Sequence, residues 1–185
     1  MLGAAQEQWL ERQLMDSADQ AWTVVAQTIR FGAMVYRTAG GKKIWNDGWD
    51  GYPATRRKIV EWMVKSKAAN PVIFGGDVHE TWVGHIKEDY ANPSSKVVGV
   101  EFCGTSITSD DGKNTSARQK NNPHFIYSEG LRRGYLMAEF TKIDLVVNLR
   151  AVVEHKSKNS DIETLATFKL SKGSTKIEVT SNQPT

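Results

Sequence analysis

An aspartate and a histidine two positions apart, Asp77 and His79, follow the apolar run Val72-Ile73-Phe74 and a Gly75-Gly76 pair. A carboxylate oxygen beside an imidazole nitrogen makes a donor set for a metal ion. In extended backbone, alternate residues project to one side, which would aim both side chains into one pocket. The same residues also suit a turn capped by Asp77 with His79 packed behind it. Asp47 and Asp50 lie upstream in a loop containing Gly40-Gly41, Gly48 and Gly51. If that loop reaches the same sheet edge, the set becomes three carboxylates and an imidazole. Such donors suit iron, manganese, zinc or calcium and could clamp a phosphoryl oxygen or acidify water. Asp beside Gly equally forms Asx-turns, so both readings of Asp47 and Asp50 stand.

Other groups are candidates for supporting chemistry. Arg56 and Arg57 sit early in a helix behind Asp50, where a guanidinium can bind an anion, neutralise carboxylates or simply face water. His124, in Asn122-Pro123-His124, is a candidate for proton transfer. Thr105-Ser106-Ile107-Thr108-Ser109 offers hydroxyls to a phosphate, a site water or solvent. No His or acid is placed to suggest a serine-nucleophile triad. His85 and His155 fall among strand positions and read as structural. Cys103 ends an apolar strand and reads as a small core residue.

The elements that must position these groups follow from periodicity. Leu2, Ala5, Trp9, Leu10 and Leu14 predict an amphipathic helix over about residues 4–15. Residues 22–26 have strand length. Residues 37–51 read as a loop, and Pro53 as the first residue of a helix running to about Lys67. The run 72–74, bounded by Asn70-Pro71 and two glycines, reads as a strand buried on both faces. Residues 22–77 therefore form one layered α/β unit with its ligand turn at a strand's carboxyl end. Period two then dominates: strands are expected at 82–86, 97–102, 135–140, 145–153 and 165–170. Residues 104–131 read as a long linker, a length usually functional or mobile, and 181–185 as a frayed tail.

The 185 residues, 39% hydrophobic and 24% charged, suffice for a sizeable core. A net charge of +3 is too small and scattered to argue for nucleic acid or a membrane surface. No apolar run approaches the roughly 20 residues that cross a bilayer. One cysteine precludes an internal disulfide and leaves the compartment open.

Asp47-Gly48-Trp49-Asp50-Gly51-Tyr52-Pro53-Ala54-Thr55-Arg56, with Gly76-Asp77-Val78-His79, resembles the PhoD-type alkaline phosphatase/phosphodiesterase family of calcineurin-like metallophosphoesterases. Leu2-Gly3, Gln6, Trp9-Leu10, Glu101-Phe102, Gly104 to Ser109, Asn122-Pro123-His124 and Arg133-Gly134-Tyr135 match in family order. The resemblance covers most of residues 2–150. It implies an α/β fold, half of a four-layer αββα sandwich, with a mixed sheet followed by antiparallel strands over residues 1–180. It also implies hydrolysis of phosphomonoesters and phosphodiesters, with iron plus calcium as the metal set. On this basis Asp77, His79, Asp50 and Asp47 are the expected ligands, and His124 and Arg56 contact the phosphate or leaving group. The family's earlier metal motifs are absent, so an amino-terminal half of the same domain is the expected partner, and any export signal would lie upstream. The rival expectation is a non-catalytic fragment, pseudoenzyme or interaction domain whose acids only shape turns.

Overall fold

The structure is a computed structural model that describes residues 1–109 and 113–181. Helix α1 (Ala4–Met15) opens the chain, followed by β1 (Thr23–Ala26), the hairpin β2 (Tyr36–Thr38) and β3 (Gly41–Lys43), and a 3-10 turn at Trp49–Gly51. Helix α2 (Pro53–Ser66) leads into β4 (Pro71–Gly75), β5 (Thr81–Lys87) and β6 (Val97–Cys103). Then come α3 (Ser116–Asn121), β7 (Phe125–Glu129), β8 (Gly134–Phe140), β9 (Asp144–Val152), β10 (Ile162–Ser171) and β11 (Glu178–Ser181).

Among the described residues the strands form a five-stranded sheet, β1-β4-β6-β5-β7, and a four-stranded one, β11-β10-β9-β8. The first is mixed: β1, β4 and β6 run parallel, and β5 pairs antiparallel with β6 and β7. The second is antiparallel throughout. Side-chain alternation explains the layering. Val72, Val83, Val100 and Phe102 point to one face and meet Leu145, Val147, Leu149 and Phe168 of the second sheet. Ile73 and Ile86 point to the other face, where Leu14 of α1 and Ile59, Val60 and Met63 of α2 cover them. Helix, sheet and sheet thus supply three layers of the sandwich that the family resemblance implies.

Helices α1 and α2 sit where the sequence predicts. Pro53 needs no amide partner at the start of α2, and Lys67 ends the helix in the left-handed region at φ 55°. Three expectations are corrected. The loop over 37–51 holds the small β2–β3 hairpin, closed by Gly41 at φ 104°. The linker over 104–131 contains α3 and β7; residues 110–112 of it lie outside the described residues. β7 is only five residues long, and its buried positions alternate, so Phe125, Tyr127 and Glu129 face inward. Of the expected tail, Ser181 closes β11, and 182–185 lie outside the described residues.

Phe168 sits between the sheets, 5.9 Å from the Phe102 ring and 5.1 Å from Tyr127. Phe168→Ala is expected to lower unfolding stability by about 3–5 kcal/mol. Ile143→Ala, at an exposed turn, should stay within about 0.5 kcal/mol. Urea unfolding midpoints check both.

Candidate functional site

The Asp77–His79 segment is not extended. Asp77 has φ 67° and His79 φ 59°, both left-handed, and the Val78 N–H donates to the Gly76 carbonyl at 2.8 Å. Non-glycine residues held there cost on the order of 1–3 kcal/mol each, so the surroundings must enforce the shape. They do so from several sides. A Cβ at Gly75 would lie 2.4 Å from the Ile29 carbonyl oxygen, so only glycine lets the strand end pass. The Gly104 N–H donates to Gly75 O at 2.9 Å, and the Cys103 thiol to Gly76 O at 3.4 Å. The Thr105 hydroxyl lies 3.2 Å from the His79 carbonyl and 3.1 Å from that of Arg132, and gives its proton to either.

Side chains then fix the imidazole. Ser109 Oγ is 3.0 Å from His79 Nδ1. The guanidinium of Arg133, a fully buried residue, donates to the Ser109 carbonyl. Next along the chain, buried Glu80 accepts the Trp82 indole N–H at 3.0 Å. Glu80 also receives a two-pronged ion pair from Arg118 of α3, one arm at 2.7 Å. The Arg118 guanidinium lies over the Trp82 ring at 5.4 Å. The turn is thereby pinned on both sides, while Asp77 itself stays exposed and His79 half-buried.

Asp50 lies in a second cluster. Its carboxylate takes the Arg56 guanidinium at 2.7 Å, the Arg30 guanidinium at 3.7 Å and the Met34 N–H at 3.0 Å. Both guanidiniums also reach the backbone: Arg56 donates to Phe31 O at 3.4 Å and Arg30 to Gly32 O at 3.3 Å. Glu101, buried in the middle of β6, accepts the N–H groups of Phe31 and of Gly32, the latter at 2.8 Å. Asn122 takes the Val35 N–H at 2.8 Å and donates to the Val35 carbonyl at 3.0 Å. His124 Nε2 donates to Ala33 O at 2.8 Å, and its ring packs on Tyr90 and Phe125.

Asp50, Arg56 and His124 therefore come together around residues 30–35, and Asp47 stays exposed on its loop. Among the described residues, no three His, Cys, Asp or Glu side chains converge closely enough to hold an ion. The structure does not gather Asp77, His79, Asp50 and Asp47 into one donor set. The physical reason is charge: a buried carboxylate beside two guanidiniums is drawn to them. Glu101, Arg30 and Glu80 escaped the sequence reading as site residues. A lone acid inside Val97-Val98-Gly99-Val100-Glu101-Phe102 was the available signal, because a buried charge demands partners.

The cluster shifts its titrating groups in opposite senses. Burial raises the Glu101 carboxyl to about 7, against the pull of the Phe31 and Gly32 N–H groups and of Arg30 and Arg56. Burial lowers the His124 imidazole to about 4, with Arg56 and Arg30 adding to the effect. Burial likewise holds the Cys103 thiol well above its ordinary range.

Comparison with known proteins shows the family of the chain. A family model described as PhoD-like phosphatase matches residues 1–149. Alkaline phosphatase D of Bacillus subtilis (strain 168) is 34% identical over 180 residues, which cover 95% of this chain and 30% of that protein. A solved structure titled "Structure of PhoD" matches with a TM-score of 0.87 at 31% identity, covering 99% of this chain and 36% of that one. The chain thus spans roughly a third of the length of these relatives.

Asp50→Ala should destabilise the fold by about 3–5 kcal/mol, because it leaves two guanidiniums buried without their counter-charge; chemical denaturation measures this. For pH, the folded state binds an extra proton at Glu101 between the ordinary 4.5 and about 7, so that contribution falls as pH rises. At His124 the folded state binds fewer protons between about 4 and 6.5, so its contribution rises with pH. The two oppose each other from about pH 4.5 to 6.5. His124→Gln should therefore add a component that falls with pH across that window, and Glu101→Gln one that rises, as read by thermal unfolding against pH.

Proposed function

Since the chain belongs to the PhoD-like phosphatase family, we propose that it carries part of the catalytic centre of a phosphoester hydrolase acting on phosphomonoesters and phosphodiesters. The observation that carries this reading is the Asp77–His79 turn, with two polar side chains held at positive φ beyond the carboxyl end of a buried parallel strand. Strain of this kind is kept where position matters more than backbone comfort, and that end of a strand is where open α/β folds bind ligands.

The two side chains fit a metal ion as partial ligands. A carboxylate oxygen and an imidazole nitrogen together suit iron, manganese, zinc or calcium, and iron with calcium is the pair we assign. The Ser109 Oγ at His79 Nδ1 orients the imidazole, the role that hydrogen-bond partners of ligating histidines play. Two donors fall short of the four to eight that such ions take. The balance comes from outside the residues described, in the portion of the domain that the longer relatives possess. The chemistry supplied by the bound ions is Lewis acidity toward a phosphoryl oxygen and acidification of water at the site.

The chain's own residues orient that chemistry. Ser109 sets the imidazole plane and tautomer, Arg133 holds Ser109 through its carbonyl, and Thr105 holds the His79 main chain. The Glu80–Arg118 pair fixes the exit from the turn. In this reading Asp50, Arg56 and His124 are framework residues, and Asp47 is not a ligand. A second reading, an interaction domain without catalysis, draws on the absence of three convergent donors among the described residues.

The test is hydrolysis of a model phosphoester, with metal analysis, on a full-length protein carrying this sequence. Asp77→Asn and His79→Ala should each lower the rate by more than about 100-fold and release metal. Ser109→Ala should weaken metal retention by about 10–100-fold, the range for losing a hydrogen-bond partner of a ligand. Near wild-type rates in both ligand variants would end the assignment, and a stable metal-free protein without hydrolysis would favour the second reading.

A further inference from the structure

The whole-chain charge conceals where the excess sits. Residues 36–46, Tyr36-Arg37-Thr38-Ala39-Gly40-Gly41-Lys42-Lys43-Ile44-Trp45-Asn46, carry three cations and no acid. Outside them, 21 Lys and Arg are matched by 21 Asp and Glu, so this stretch holds the entire net charge of +3. It forms the β2–β3 hairpin and its exit. Among the described residues, β2 and β3 pair with each other and with no third strand. Every residue from Arg37 to Ile44 is exposed.

The register concentrates the charge further. Arg37 lies directly opposite Lys42, Tyr36 opposite Lys43, and Thr38 opposite Gly41. Opposed residues of an antiparallel pair project to one face with Cβ atoms about 5 Å apart, and like charges there repel. No carboxylate relieves them: among the described residues, Arg37, Lys42 and Lys43 make no ion pair. A two-stranded ribbon is marginal by itself in water, and a neutral residue at either position would remove the repulsion. An anion seated between the two cations turns that repulsion into binding.

The root of the hairpin is fixed beside the candidate catalytic turn. Asn122 holds both polar groups of the Val35 backbone. Tyr36 and Val78 pack against the same buried cluster of Met34, Trp82, Cys103 and Phe125. The Arg118 guanidinium lies 6.0 Å over the Tyr36 ring and pairs with Glu80, the residue after His79. We propose that the β2–β3 hairpin is a second phosphate subsite, which takes a phosphate of the substrate other than the one cleaved at the Asp77–His79 turn. The substrate class is then a phosphoester bearing at least one further phosphate, in a phosphodiester chain or a polyphosphate group. Arg37 offers a planar fork to two phosphate oxygens, and Lys42 a point charge on the same face. The inference rests on the reading of the chain as part of a phosphoester hydrolase and adds the substrate class, but its test reads binding rather than hydrolysis.

The experiment titrates inorganic tetraphosphate, a short oligothymidylate and inorganic phosphate into the full-length protein carrying this sequence, followed by calorimetry. Asp77→Asn in the background prevents turnover. Tetraphosphate or the oligothymidylate should bind at least about tenfold more tightly than inorganic phosphate, and the one that does so identifies the source of the second phosphate. Lys42→Glu places an acid opposite Arg37, which favours the hairpin while cancelling its charge. It should weaken that binding at least about tenfold, the order expected for losing a charge-assisted contact, whereas Lys42→Arg should preserve it. In about 1 M salt, where charges are screened within about 3 Å, the difference should vanish. Amide exchange across residues 36–43 should be no faster in Lys42→Glu, which separates lost charge from a lost fold. Neither probe binding more tightly than phosphate, binding indifferent to Lys42→Glu, or a Lys42→Glu defect seen only with phosphatidylglycerol vesicles would each overturn the proposal. Binding through the hairpin in a protein that hydrolyses nothing with Asp77 intact would count against the proposed function alone.

Discussion

Residues 30–35 run through the interior with no helix or strand to pair their backbone, and the fold depends on how that debt of hydrogen bonds is settled. Buried amides and carbonyls must find partners. Here they find side chains from four separate places: Glu101 of β6, Asp50 of the 3-10 turn, Arg56 of α2, and Asn122 with His124 before β7. Each partner is itself charged or strongly polar, so each in turn needs another. Arg30 closes the circuit by reaching both Asp50 and Gly32. The result ties the first third of the chain to β6 and β7 without regular secondary structure.

That circuit also explains how the candidate site is supported. Gly75 passes within van der Waals contact of Ile29, just ahead of the buried segment, and Gln27 bridges Ile29 to the Trp49 indole. The position of β4, and so of Asp77 and His79 beyond it, is referred to the same polar interior that holds Asp50. Asp50 thus holds its guanidinium partners and the Met34 N–H within that interior.

The layers were legible because their signal is local. Period-two runs placed β5, β6, β8, β9 and β10, and the apolar stripes with Pro53 placed α1 and α2. Residues 29–36 were illegible for the opposite reason. Their mixed pattern reflects backbone bonded to side chains up to 91 positions away, and no window of neighbouring residues encodes that. The Asp77–His79 spacing predicts extended backbone, whereas both residues are left-handed. The motif Gly76-Asp77-Val78-His79 marked the turn; only the contacts of Gly75, Thr105 and Ser109 define its shape.

The left-handed backbone at positions 77 and 79 narrows what evolution can place there. Asp, Asn and His tolerate that conformation because a short polar group can satisfy itself locally, while β-branched residues clash with their own carbonyl. Glycine would relax the turn and erase the donor. A drifting lineage that loses the chemistry is therefore free to accumulate glycine or asparagine at these two sites, and valine, isoleucine or threonine there would signal that the turn itself has been rebuilt.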